Sequence, residues 1–185
     1  MILPIVAYGD PVLKRKADEI DRDYPGLEKL IDDMFETMYN SSGVGLAAPQ
    51  IGLSIRLFII DGGPFEDDEV SDFKQVFINP QISEEQGDNW KFNEGCLSIP
   101  NIREDVSRKQ TLKIRYFDRN WEQKEEEYSG LAARIIQHEY DHIEGILFTD
   151  RISPLRRRLL KNKLADISSG KVSVDYKMKF PLLRR

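Results

Sequence analysis

Histidine and cysteine are scarce in this 185-residue chain: there are two histidines, His138 and His142, and one cysteine, Cys96. A lone cysteine excludes an intramolecular disulfide. The scarcity also leaves few candidates for a soft or borderline metal ligand. Long apolar runs are missing too. The longest are short, such as Leu57–Ile60, so no segment is suited to spanning a bilayer. The opening MILPIVAYGDPVLKRK has no basic start followed by an apolar stretch, and Gly9, Asp10 and Pro11 interrupt it. No signal peptide is expected, and the cytoplasm is the expected location. Internal repeats and low-complexity linkers are absent. What is present is an ordinary globular balance, 40% hydrophobic and 32% charged, at a length that suits one domain over residues 1–185.

The net charge of −5 conceals an asymmetry. Residues 1–150 carry 16 Lys/Arg against 30 Asp/Glu, whereas residues 151–185 carry 11 against 2. A basic C-terminal segment on an acidic body can meet a polyanion such as RNA, or can simply be a solvated helix face and tail.

Leu27, Leu30, Ile31, Met34, Phe35 and Met38 follow helical spacing, which predicts an amphipathic helix over roughly Pro25–Tyr39, with Asp23 as cap. Ser41–Gly52, with three glycines and a proline, reads as a structured loop. Ile55–Ile60, Val76–Ile78, Thr111–Phe117 and Glu122–Tyr128 read as strands, and Asp61–Asp72 as an exposed acidic loop. A helix is predicted over roughly Gly130–Glu144, capped by Ser129 and ended by Gly145. A third starts at Ser153 and Pro154, with an apolar stripe of Leu155, Leu159, Leu160, Leu164 and Ile167. Val172–Phe180 is a candidate last strand. The pattern is that of an α+β domain: antiparallel or mixed strands around a central helix, with an N-terminal and a C-terminal helix.

The central helix carries Gln-His-Glu-Tyr-Asp-His at 137–142, which contains H-E-x-x-H. Positions i and i+4 share a helix face, so His138 and His142 can hold one metal ion. Glu139 beside them is a candidate general base for a metal-activated water. Leu131, Ile135, His138 and His142 form one stripe, so the histidines continue the buried face. The plainer alternative is two core histidines satisfied by hydrogen bonds. A catalytic site needs a third ligand, either Cys96, within Glu-Gly-Cys-Leu-Ser-Ile-Pro (94–100), or a carboxylate such as Asp166 on a later helix.

Three segments in order, Gly-Val-Gly-Leu-Ala-Ala-Pro-Gln (43–50), Glu-Gly-Cys-Leu-Ser (94–98) and Gln-His-Glu-Tyr-Asp-His (137–142), resemble the motifs of the peptide deformylase family. Tyr-Gly-Asp-Pro-Val-Leu (8–13) adds to the likeness, which spans at least residues 5–150. The resemblance implies that Cys96, His138 and His142 bind the metal, with water in the fourth place. It implies that Glu139 is the general acid/base, and that the Gln50 amide and the Leu97 N–H donate to a developing oxyanion. The implied reaction removes the formyl group from the N-terminal formylmethionine of a new polypeptide and releases formate. The implied metal is Fe2+, one per chain, with Zn2+, Ni2+ or Co2+ able to replace it.

The family likeness also places Val44, Leu131 and Ile135 around a methionine side chain. Gly43 and Gly45 allow a peptide backbone to approach closely, so that an extended substrate can add to the loop as a strand. Glu94 and Arg103 match charged family positions next to the substrate. They either form an ion pair that holds the metal loop or are structural. With nascent formylmethionyl chains as substrate, the basic segment 151–185 becomes a candidate contact with ribosomal RNA. Two readings compete: a zinc protease completed by Asp166, and a non-enzymatic module that binds RNA through the basic segment.

Overall fold

The computed structural model describes residues 1–183, so Arg184 and Arg185 of the basic segment lie outside the described residues. In chain order the regular elements are β1 (Ile5–Val6), α1 (Leu27–Asn40), β2 (Gly45–Ala47), β3 (Leu57–Asp61), β4 (Lys74–Cys96), β5 (Ile99–Phe117), β6 (Gln123–Ser129), α2 (Gly130–Ile143), α3 (Pro154–Ser168) and β7 (Met178–Lys179). Strands β2 to β6 form one antiparallel sheet in sequence order, and β1 pairs with β7 in a parallel two-stranded ribbon. The fold is α+β, as expected. Among the described residues, no helix is long and apolar enough to cross a membrane.

Helix α1 buries Leu27, Ile31, Met34, Phe35 and Met38, the face its spacing predicts. Its start is a correction: Gly26 occupies the cap position with φ 69° and no side-chain cap, so Pro25 and Asp23 precede the helix. Helix α2 has apolar and polar side chains buried around most of its circumference. Ser129 holds its cap position without a side-chain hydrogen bond. Instead, Glu69, from the acidic 61–72 loop, accepts the Leu131 N–H at 2.8 Å. A remote carboxylate thus serves the exposed donors and positive dipole end of the helix. Ser153 caps α3 as predicted, accepting from the Arg156 N–H at 3.2 Å. Only part of the α3 stripe is buried: Leu160, Leu164 and Ile167 pack inward, whereas Leu155 and Leu159 are exposed.

The long β4–β5 hairpin is the main element that the periodicity did not predict. Val76–Ile78 is buried without a break, and β5 alternates with a buried face along most of its length from Ile102 to Phe117. Residues 83–91 are almost all exposed, and cross-strand pairing with β5 carries them. Within 172–180, only Met178–Lys179 is strand.

Candidate active site

The β4–β5 connection and the buried face of α2 bring the sparse ligand types together. Cys96 pairs with Ile99, which leaves Leu97 and Ser98 as a two-residue turn at the end of the hairpin. The ligand atoms of Cys96, His138 and His142 lie within 4.8 Å of one another, and Cys96 Sγ stands 3.4 Å from His142 Nε2. Tetrahedral zinc-type bond lengths of about 2.3 Å to sulfur and about 2.0 Å to nitrogen would put these atoms about 3.5 Å apart. The donor set therefore fits one borderline-soft ion. Asp166, the alternative ligand, is exposed on α3 and, among the described residues, belongs to no such group.

Glu94 fixes His138. His138 Nδ1 donates to Glu94 Oε1 at 2.9 Å, which leaves the other ring nitrogen to face the cysteine. The carboxylate is buried, yet its pKa lies well below the ordinary range. Burial opposes ionisation, but the hydrogen bonds from His138 and Arg108 outweigh it. Arg108 donates to both oxygens at 2.8 and 2.9 Å, and Arg134 Nη1 donates to Oε2 at 2.8 Å. Arg108 also bonds Asp141 at 2.7 Å, and Arg151 grips both Asp141 oxygens at 2.5 and 2.7 Å.

The Glu94–Arg103 ion pair is a correction. On β4 and β5, Glu94 lies opposite Glu104 and Gly95 opposite Arg103. Side chains alternate along a strand, so Arg108 shares the face of Glu94 and Arg103 points to the other. There Arg103 donates to the Asn93 side chain at 2.8 Å and to its carbonyl at 2.9 Å.

Glu139 is buried against Gly45, where an added Cβ would lie 2.5 Å from Oε1. Among the described residues its Oε2 has no hydrogen-bond partner. Burial pushes its carboxyl up to about 7; His138 and Arg108 oppose this, and Glu94 and Asp141 add to it. Burial also lowers His142 well below an ordinary imidazole, helped by His138 and Arg108. For His138, burial acts the same way, but Cys96 and Glu94 outweigh it and hold its pKa high.

The orientation of Gln50 is set by its own loop. Its Oε1 accepts the Ala47 N–H at 3.0 Å, so Nε2 must point inward. That Nε2 lies 3.5 Å from Cys96 Sγ and 3.3 Å from Ser98 Oγ. Gln50, Leu97 and Glu139 line a cavity of about 920 Å³ together with Gly43, Val44, Gly45, Leu131 and Ile135. Cys96, His138, Glu94 and Arg103 also line it, while His142 is buried behind.

Sequence reasoning missed Arg108, Arg134, Asp141 and Arg151, which form the ion-pair network around Glu94, the acceptor of His138. It also missed Phe65 and Tyr176, which reach the cavity from the acidic loop and the C-terminal tail. For Arg108 the sequence offers no local signal, because the register shift beside Cys96 resets the parity of β4 against β5. For Phe65 and Tyr176 the sequence offers none.

An α+β fold that gathers a thiol, an imidazole and a buried carboxyl on one cavity wall, with a second imidazole directly behind, defines a hydrolase with a metal-binding centre. The family model for polypeptide deformylase matches residues 2–158. A peptide deformylase of Christiangramia forsetii is 63% identical, covering 98% of this chain and 97% of its own. One from Flavobacterium psychrophilum is 55% identical, covering 97% of each. The crystal structure of a peptide deformylase from Legionella pneumophila superposes with a TM-score of 0.81 at 37% identity, covering 92% of this chain and 98% of that one. The chain belongs to the polypeptide deformylase family and is an enzyme of that family.

Proposed function

We propose that this enzyme hydrolyses the N-terminal formyl amide of formylmethionyl nascent polypeptides in the cytoplasm, yielding formate and a free amino terminus. The observation that carries this reading is the convergence of Cys96, His138, Glu139 and Gln50 on one cavity, with His142 buried behind its wall beside Cys96. Cys96, His138 and His142 hold one ion. Fe2+ is proposed from the family resemblance, and the thiolate–imidazole donor set also accepts Zn2+, Ni2+ or Co2+. When bound, the ion supplies Lewis-acid polarisation of the formyl oxygen and of the attacking water.

The remaining chemistry belongs to the chain. The Oε2 of Glu139, without a partner among the described residues, takes the water proton, and the same carboxyl returns it to the leaving amine. Gln50 Nε2 and the Leu97 N–H donate to the oxyanion, and one such donor is worth about 3 kcal/mol. Gln50 needs no reorganisation for this, because Ala47 already fixes its amide. Val44, Leu131 and Ile135 surround the methionine side chain. Strand β2 is the edge of its sheet, which leaves Gly43–Gly45 able to pair with an extended peptide. Glu94 serves through His138, and Arg103 stands at the cavity rim where the peptide leaves.

The whole chain, 1–185, acts as one catalytic unit. Its basic segment is proposed to meet ribosomal RNA through α3, where exposed Leu155 and Leu159 lie beside Arg156–Arg158. Salt-sensitive co-sedimentation with ribosomes, lost on charge reversal at Arg158 and Lys161, tests that contact.

Mass spectrometry of a formyl-Met peptide after incubation tests the reaction. The expected products are formate and the full-length peptide with a free amino terminus; cleavage of an internal peptide bond would favour a protease instead.

A further inference from the structure

The family match ends at residue 158, yet Ser173, Val174, Asp175 and Tyr176 close one side of the cavity. The turn between β4 and β5 consists of Leu97 and Ser98, and both of their carbonyls find donors from remote parts of the chain. Ser98 O accepts the Tyr8 N–H at 2.8 Å. Leu97 O accepts the Tyr176 hydroxyl at 2.7 Å. The tail is held on both sides of Tyr176: Asn101 Nδ2 donates to Ser173 O at 3.1 Å, and the Ile5 N–H donates to Lys177 O at 2.9 Å, where β7 joins β1.

We propose that Tyr176 is a positioning residue for deformylation: through Leu97 O it fixes the turn and so aims the Leu97 N–H at the oxyanion. This rests on the reading of that N–H given under the proposed function. The Leu97 carbonyl and N–H flank one Cα. With Cys96 paired on the hairpin and the carbonyl tied to the tail, the residue has no freedom to pivot. Half-buried Tyr176 also packs against the core cluster that Leu97 covers, so its ring is supported independently of the hydroxyl. Burial raises the phenol pKa, and nearby Cys96 adds to this, so the hydroxyl keeps its proton and donates. Without that bond the turn can rotate, and small misplacements of a reacting group are costly in rate. The methionine pocket does not depend on the bond, so substrate affinity is spared.

The test is Tyr176→Phe in the full chain, reconstituted anaerobically with Fe2+, with metal content and thermal melting measured in parallel. The expected result is a kcat about tenfold lower, with KM within about twofold and metal content unchanged. In leucine-labelled protein loaded with diamagnetic Zn2+, the Leu97 amide resonance should move more than those of the other leucines. A kcat within about twofold of wild type, a KM that rises as much as kcat falls, or a loss explained by lost metal or unfolding would each overturn the proposal. If wild type shows no activity on formyl peptides, the functional reading has failed. The Leu97 resonance then decides: unmoved in Tyr176→Phe, it removes the positioning role too.

Discussion

Glu94 and His138 come from a strand and a helix that are distant in sequence, yet Glu94 Oε1 accepts from His138 Nδ1 at 2.9 Å. The same carboxylate also neutralises Arg108 and Arg134, all three being buried. One side chain thus orients a candidate ligand and balances two cations. Glu94→Ala is expected to destabilise the fold by about 3–5 kcal/mol, because it strands buried charge. It should also weaken metal binding by about 10–100-fold, because His138 loses its orienting acceptor. Denaturant unfolding checks the first effect and a competition titration with a chelating dye the second.

Cys96→Ala and Asp166→Ala separate the two sequence readings of the third ligand. Asp166 is exposed on α3, and its removal should leave metal content unchanged. Removal of Cys96 takes away the chain's single thiol, so stoichiometric metal should be lost. Elemental analysis of the purified variants decides. Metal retained without Cys96 but lost without Asp166 would reject the site described above.

Gly45→Ala places a methyl where Glu139 Oε1 now sits, 2.5 Å from the new carbon. The carboxylate must move, because β2 is held by its pairing with β3. The expected cost is about 1–3 kcal/mol in stability. A fall in kcat of more than about tenfold should accompany it, as the proton acceptor leaves its place. Steady-state kinetics with a melting curve on the same preparation reads both.

On the proposed ligation, removing the metal should abolish activity and lower the melting temperature together, because only the folded chain brings Cys96, His138 and His142 together. At a free-ion concentration about 100-fold above Kd, the stabilisation is about 2.7 kcal/mol. Calorimetry of chelated and Fe2+-reconstituted protein under anaerobic conditions measures this difference.

The helices were legible because each states its own period. The α2 stripe of Leu131, Ile135, His138 and His142 predicted both the helix and its buried face, and Ser153 with Pro154 marked the start of α3. The outer β4–β5 hairpin was not legible. Its residues 83–91 have no apolar face to alternate, so their strand character comes from the partner strand rather than from local sequence. The alternative of a Glu94–Arg103 ion pair came from the family likeness, whereas the register of β4 and β5 puts Arg108 on the face of Glu94. Glu69 at the start of α2 and Tyr176 at Leu97 are tertiary contacts from distant segments, which no local pattern encodes.

The most direct test of the central claim is anaerobic formate release from a formyl-Met peptide by Fe2+-reconstituted wild type, compared with Glu139→Ala. Steady formate production by wild type is predicted. The variant, with its metal still bound, should lose at least about 100-fold in kcat, the scale of general acid–base catalysis. No formate from the reconstituted wild type, or equal rates from the two proteins, would contradict the account.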